Sequence, residues 1–222
     1  NLIQYVTYEN NAAGTYSSGV NWEFDEATRT MIISGYGRMD CKTAKPWSEY
    51  PFNEAIEHVV IEDGITAVDE EAFYNCLNLQ SVSFPDTLLD IGQRAFYRCN
   101  LQSLVIPDNV VIGNSAFCRN EQLSDVLLGE NVSFQDYYRD GFENGGSAFA
   151  DCPLLLTAGP ADGDYDIRIT FGNTRSIAAY AFDACSSLTE VTIPESVIVI
   201  GESAFNGCSN LKSINLPELL MS

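Results

Sequence analysis

The sequence predicts a mainly β chain wound into a solenoid of parallel strands behind a separate β segment, and three observations predict it. A nine-residue core recurs in register on Ala-Phe: VDEEAFYNC from Val68, IGQRAFYRC from Ile91, IGNSAFCRN from Ile112, NGGSAFADC from Asn144, IAAYAFDAC from Ile177 and IGESAFNGC from Ile200. A second phrase, Leu-x-x-aliphatic-x-aliphatic, follows most of these cores: LQSVSF from Leu79, LQSLVI from Leu101, LSDVLL from Leu123, LTEVTI from Leu188 and LKSINL from Leu211; IEHVVI from Ile56 also fits it. A helical period is hard to find anywhere, whereas the last three residues of each second phrase alternate as a strand with one buried face does.

The repeat phenylalanines are Phe73, Phe96, Phe117, Phe149, Phe182 and Phe205, so subtraction gives separations of 23, 21, 32, 33 and 23. A unit of about 23 residues, twice interrupted, lies inside the leucine-rich-repeat range. Pro85, Pro107, Pro194 and Pro217 end four of the strands, where the missing N–H does least harm.

The pattern resembles the BspA-type, or Treponema-type, leucine-rich repeat family, whose units read roughly P-x-x-V-x-x-I-G-x-x-A-F-x-x-C-x-x-L-x-x-I-x-I. The match runs from about residue 56 to 217. The stretch WEFDEATRTMIISGYGRM from Trp22, then Pro46-Trp47, then VVIEDGITAV from Val59, is similar to the capping segment of bacterial members. The resemblance implies a right-handed leucine-rich-repeat solenoid, with an N-terminal β cap over residues 1–55 and repeats over 56–222. Insertions are expected at about 129–147 and 157–174.

Each position has a physical reason. Coils of a parallel solenoid stack at about 4.8 Å, so one residue type repeated per coil becomes a column down the axis. The Phe column fills the interior with stacked rings, and the neighbouring Ala leaves room for them. Gly92, Gly113 and Gly201 mark a corner that calls for a positive φ or a close backbone approach. Cys76, Cys99, Cys152, Cys185 and Cys208 all fall three residues after the Phe, and Asn120 takes that place once. A side chain replaceable by Asn reads as a plug that hydrogen-bonds loop backbone, since thiol and amide share donor capacity but not reactivity. Thiols in a line, one per coil, do not converge as a tetrahedral metal site requires. Seven cysteines in all, with Cys41 and Cys118 outside the column, do not indicate a secreted disulfide framework.

Composition excludes several classes. A formal charge of −20, from 31 acidic and 11 basic residues, argues against nucleic acid, and no apolar run approaches the length of a membrane span. His58 is the only histidine and falls on the outward face of its strand. Spacing allows a Cys41/His58 dyad, but nothing orients either partner. No enzyme motif is present and no cofactor is implied.

Two kinds of surface remain as candidates. The first insertion carries Tyr137, Tyr138 and Phe142 among acids, either as interface anchors or folded back on the solenoid flank. The second holds Asp162, Asp164 and Asp166 at alternate positions, a weak calcium candidate because the glycine is misplaced and no distal Glu closes the set. YDIRITF, from Tyr165, alternates like an added strand or a hairpin arm. The outward strand positions, among them Gln80, Gln102, Asp125, Glu190 and Lys212, form a flat polar sheet suited to a protein or glycan.

No signal peptide is visible and the chain begins without Met, which suggests a trimmed, exported product that is secreted or displayed on a cell surface. At the other end, either Leu219, Leu220 and Met221 fold over the last coil or the natural protein continues past Ser222. What the resemblance implies is a non-enzymatic adhesion or recognition protein, possibly for host extracellular matrix. The alternative is a structural or accessory module of a larger surface protein or enzyme.

Overall fold

A computed structural model describes residues 6–8, 11–15, 19–39, 52–135, 148–149, 152, 157–159, 169–170, 175–177 and 179–221; at 6–8, 11–15, 52, 157–159 and 169–170 it describes the backbone alone. The chain opens as an antiparallel meander of β1 (Val6–Tyr8), β2 (Asn11–Thr15), β3 (Val20–Asp25) and β4 (Thr30–Gly35). Alternation buries Val20, Trp22 and Phe24 on β3 against Met31 and Ile33 on β4, leaving Asn21 and Glu23 of β3 exposed and Ile32 of β4 half-buried. The β3–β4 turn is fixed by the Asp25 carboxylate, which accepts hydrogen bonds from Ala27 N (2.9 Å) and Thr28 Oγ1 (2.8 Å). Those two bonds, the Thr28 one first, hold the Asp25 carboxyl below its ordinary range.

After β5 (Gly37–Arg38) and a single helical turn, α1 (Phe52–Ala55), the chain enters β6 (His58–Ile61), which pairs in parallel with β4 through Thr30↔His58 to Ile33↔Ile61. The meander is therefore the first part of the sheet on which the coils are built. A coil then alternates a back strand with a front strand. β7 (Ile65–Val68) leads to β8 (Ser81–Ser83), β9 (Asp90–Ile91) to β10 (Ser103–Ile106), and β11 (Val111–Ile112) to β12 (Asp125–Leu128). Then follow β13 (Ser133–Phe134), β14 (Thr157–Gly159), β15 (Ile169–Thr170), β16 (Ser176–Ile177), β17 (Glu190–Thr192), β18 (Val199–Ile200) and β19 (Ser213–Asn215), the alternation broken once where β14 and β15 are both front strands.

All pairings from β6 onward are parallel, in a front order β10-β12-β14-β15-β17-β19 and a back order β13-β11-β9-β7-β5. β8 joins the front sheet to β10 through Asn100 N to Leu79 O (3.0 Å) and Gln102 N to Gln80 O (3.1 Å). One sequence boundary changes. Ser133 and Phe134 pair with Val111 and Ile112, and Phe134 packs edge-on to Phe149 at 6.4 Å, so residues from Gly129 to Gln135 belong to the coil and the first insertion starts later. In the second insertion, β15 enters the front sheet between β14 and β17, as the alternation of YDIRITF predicts.

The Phe column forms as expected. Successive rings from Phe73 to Phe205 stand 5.2, 5.4, 5.4, 5.6 and 5.5 Å apart and lie within 16° of parallel. Burying each of the first five rings contributes about 2–3 kcal/mol in hydrophobic transfer before any stacking gain. Gly92 and Gly113 turn out to serve close approach, not positive φ. A Cβ at Gly92 would lie 2.5 Å from Glu70 N, and one at Gly113 2.6 Å from Gln93 N, both on the preceding coil. Left-handed φ falls instead two residues on either side of each Phe: Glu71, Arg94, Ser115, Tyr180 and Ser203 before it, and Asn75, Arg98, Arg119, Ala184 and Gly207 after it.

Candidate functional site

The cysteine column is the most conspicuous set of potentially reactive side chains, and its geometry makes it structural. Each plug donates to the carbonyl of the Phe one coil earlier: Cys99 Sγ to Phe73 O at 3.2 Å, Cys152 to Phe117 at 3.4 Å, Cys185 to Phe149 at 3.3 Å and Cys208 to Phe182 at 3.2 Å. Asn120 makes the same bond, Nδ2 to Phe96 O at 2.9 Å, adds Phe117 O at 2.8 Å, and accepts from Leu101 N at 3.1 Å. Phe73 O and Phe182 O also accept from the Cys76 and Cys185 backbone N–H at 3.2 and 3.3 Å, so there the thiol supplies a second donor to a corner carbonyl.

Burial also removes reactivity. Desolvation pushes the Cys76 thiol up to about 12 and the half-buried Cys208 thiol up to about 11, and it drives Cys99 and Cys185 well above the usual 9.0. The nucleophile is the thiolate, so these groups are inert near neutral pH. Among the described residues no cysteine is disulfide-bonded, and no three His, Cys, Asp or Glu side chains converge as a metal site. Cys41 lies outside the described residues. His58 is on the outward face, where its Nδ1 lies 2.8 Å from Ser81 Oγ across the β6–β8 pair, so its nearest polar neighbour is that hydroxyl.

The outward face of the front sheet is the remaining candidate. Parallel register stacks the outward Ser103 on Asp125 and Val105 on Leu127, and the β12–β14 backbone pairing continues these registers at positions 157 and 159. Gln80, Gln102 and Asp125 come from successive coils and lie in two adjacent columns; Gln102 and Asp125 are exposed and Gln80 is half-buried. Asp125 is steadied by Ser124 Oγ at 2.8 Å. Neither glutamine uses its side-chain amide in a hydrogen bond within the described residues. Glu190 on β17 and Lys212, just before β19, occupy the matching columns, but β14 and β15 intervene, so they form a second group and not one continuous patch.

Sequence reasoning missed the apolar part of this face. Val105 is 58 % exposed, and Leu127 beside it is half-buried. The signal was present in LQSLVI and LSDVLL, where an aliphatic residue fills the outward position between two inward ones. Tyr137, Tyr138 and Phe142, and the calcium candidates Asp162, Asp164 and Asp166, lie outside the described residues.

The geometry of stacked coils, one Phe and one plug each, agrees with an independent comparison. A family model described as the BspA type leucine rich repeat region matches in six copies over residues 48–155 and 167–222. The chain belongs to the BspA-type leucine-rich repeat family. Among solved structures, a leucine-rich repeat protein of T. pallidum is similar at 19 % identity and a TM-score of 0.57, over 90 % of this chain and 91 % of that one. A leucine-rich repeat protein from Eubacterium ventriosum is similar at 18 % identity and a TM-score of 0.50, over 94 % of this chain and 75 % of that one. At such identities these likenesses show the fold. No curated protein matches the chain. Among the described residues no helix is long and apolar enough to cross a membrane.

Proposed function

We propose that this BspA-type chain is a non-enzymatic recognition protein, exported or held at a cell surface, that binds a protein, such as one of the host extracellular matrix, or a glycan. The observation that carries this reading is the pair of Gln80 and Gln102 side-chain amides, outward on adjacent coils with no hydrogen-bond partner among the described residues, next to Asp125 and the exposed Val105. Polar groups left available beside an apolar contact are what a partner needs for orientation and for desolvation gain. Tyr137, Tyr138 and Phe142 would add aromatic anchors from the first insertion. Glu190 and Lys212 would extend the contact to the later coils.

The test is binding to immobilised matrix proteins and to a glycan panel. Wild type is compared with a Gln80→Ala/Gln102→Ala/Asp125→Ala variant and a Tyr137→Ala/Tyr138→Ala/Phe142→Ala variant. A ligand seen by wild type and weakened about tenfold or more by either triple variant supports the reading, that being the scale of one or two lost interface anchors. If wild type binds nothing above background, the reading fails.

A second reading, a structural or accessory module that packs on another domain, is favoured by one observation. In the last coil Ile214, Leu216, Leu219 and Met221 are exposed at 37, 56, 71 and 59 %. Of Leu219, Leu220 and Met221, Leu220 packs against the core.

A further inference from the structure

We propose that the corner joining the back and front sheets in the first three coils binds a saccharide carrying carboxylate or sulfate groups. Here Arg94, Arg98 and Arg119 gather beside Tyr74, Tyr97 and Asn75. This surface is separate from the outward face of the front sheet, and the proposal does not depend on what that face binds.

The local charge runs against that of the chain. Only 11 residues are basic in a protein of formal charge −20, yet three of them occupy one corner within two adjacent coils. Arg98 N donates to Cys118 O at 2.8 Å, so Arg98 and Arg119 emerge from neighbouring rungs, about 4.8 Å apart along the axis. All three arginines are exposed. Glu71 pairs with Arg94, so Arg98 and Arg119 carry the local positive charge, and screening over about 8 Å at physiological salt limits the reach of more distant acids.

Packing does not account for these arginines. Arg94, Arg98 and Arg119 have φ of 54, 55 and 60°, a left-handed conformation that glycine or asparagine adopts most readily. Arg98 and Arg119 share the position two residues after the Phe, which Asn75, Ala184 and Gly207 fill in other coils, and Arg94 stands two residues before it, where Glu71, Ser115, Tyr180 and Ser203 stand. Arginine at the strained position is therefore a choice the backbone does not favour.

The side chains are also arranged in advance. Tyr74 and Tyr97 stack at 5.1 Å and 8°, and the Arg119 guanidinium stands 5.9 Å from the Tyr97 ring centroid. Arg94 pairs with Glu71 at 3.5 Å, whereas Arg98 forms no ion pair or side-chain hydrogen bond within the described residues. Two guanidinium forks on adjacent rungs match planar or tetrahedral oxyanions, and phenol edges with an amide suit sugar hydroxyls. A peptide would need apolar anchor pockets, and Leu77 is the one exposed large aliphatic residue at this corner among those described. Nucleic acid would need many more phosphate contacts than three arginines supply.

Calorimetric titration with trigalacturonate and with a sulfated heparin disaccharide tests the site, with maltotriose and octaglutamate as comparators. The expected result is binding of an acidic saccharide that weakens with salt and falls about tenfold or more in Arg98→Gln/Arg119→Gln, the scale for losing charge-assisted bonds. An Arg29→Gln/Arg175→Gln variant loses the same charge elsewhere and should bind as wild type does, and all variants are checked by thermal melting. Gln80→Ala/Gln102→Ala should leave this binding intact, which separates the corner from the sheet. The proposal is overturned if neither acidic saccharide binds, if both charge variants weaken binding equally, or if octaglutamate binds as tightly.

Discussion

The coils from Val68 to Phe134 and the last coil, from Ile200, are written in nearly the same words, yet they are buried differently. Phe96 and Phe117 are fully buried between rings on both sides, whereas Phe205, Cys208 and Leu211 are only partly buried and pack from one side. Val126 and Val191 are buried on the front strands, while Ile214 in the equivalent place is exposed. A repeat therefore does not own its core; it shares one with its neighbours, and the stability of each coil depends on having a coil on both sides.

Substituting the ring column gives the largest separation between the two regions. Phe117→Ala should destabilise by about 3–5 kcal/mol, because it opens a cavity between Phe96 and Phe149 that cannot collapse. Phe205→Ala should cost about half as much, since its ring already meets solvent. Denaturant unfolding followed by circular dichroism measures both. Equal losses would break the idea that the last coil is held from one side only.

The plug column gives a smaller contrast. Asn120→Ala strands the Phe96 carbonyl and the Leu101 N–H and should cost about 2–3 kcal/mol, whereas Cys208→Ala should cost about 1 kcal/mol or less. Asn120→Cys, the residue that the neighbouring coils use, should recover part of the loss in the same melts. No recovery would mean that the column selects for something other than a hydrogen-bond donor.

Thiol chemistry gives the finest distinction. Cys208 is the least buried of the column, with its thiol pushed up to about 11, so iodoacetamide should modify it first, at a rate that rises with pH. Cys76, near 12 and fully buried, should react only when the chain opens. The sign for stability follows from the same shifts. Below the usual 9.0 both folded and unfolded thiols hold their protons, and above it the unfolded chain ionises first. Stability should therefore fall from pH 9.0 towards about 11–12, as alkaline melting curves would show. Early labelling of Cys76 in native protein would contradict the burial that the Phe stack imposes.

Much of the interior is legible in the sequence. The Ala-Phe and plug columns can be read because every coil presents the same position to the same neighbours, so one local rule repeats down the axis. Asn120 is informative for the same reason. The start of the first insertion lies later than 129 although the sequence carries a signal for it: Asn131-Val-Ser-Phe copies Asn109-Val-Val-Ile, both asparagines are left-handed, and their side chains bond at 3.0 Å. The Val105 and Leu127 contribution escapes a reading of the outward face for polar residues alone. The gathering of Arg94, Arg98 and Arg119 is not readable as a cluster, since the first and last are 25 residues apart and only stacking brings their rungs together.

By itself the sequence determined the family, the coil length, the strand direction and the identity of each interior column, because periodic burial must be written in periodic residues. Only the tertiary structure decided which outward residues are neighbours, that Gly92 and Gly113 serve contact and not torsion, and that the last coil leaves Ile214 in solvent. Those properties depend on what lies one coil above and below, and a single coil's residues carry no record of that.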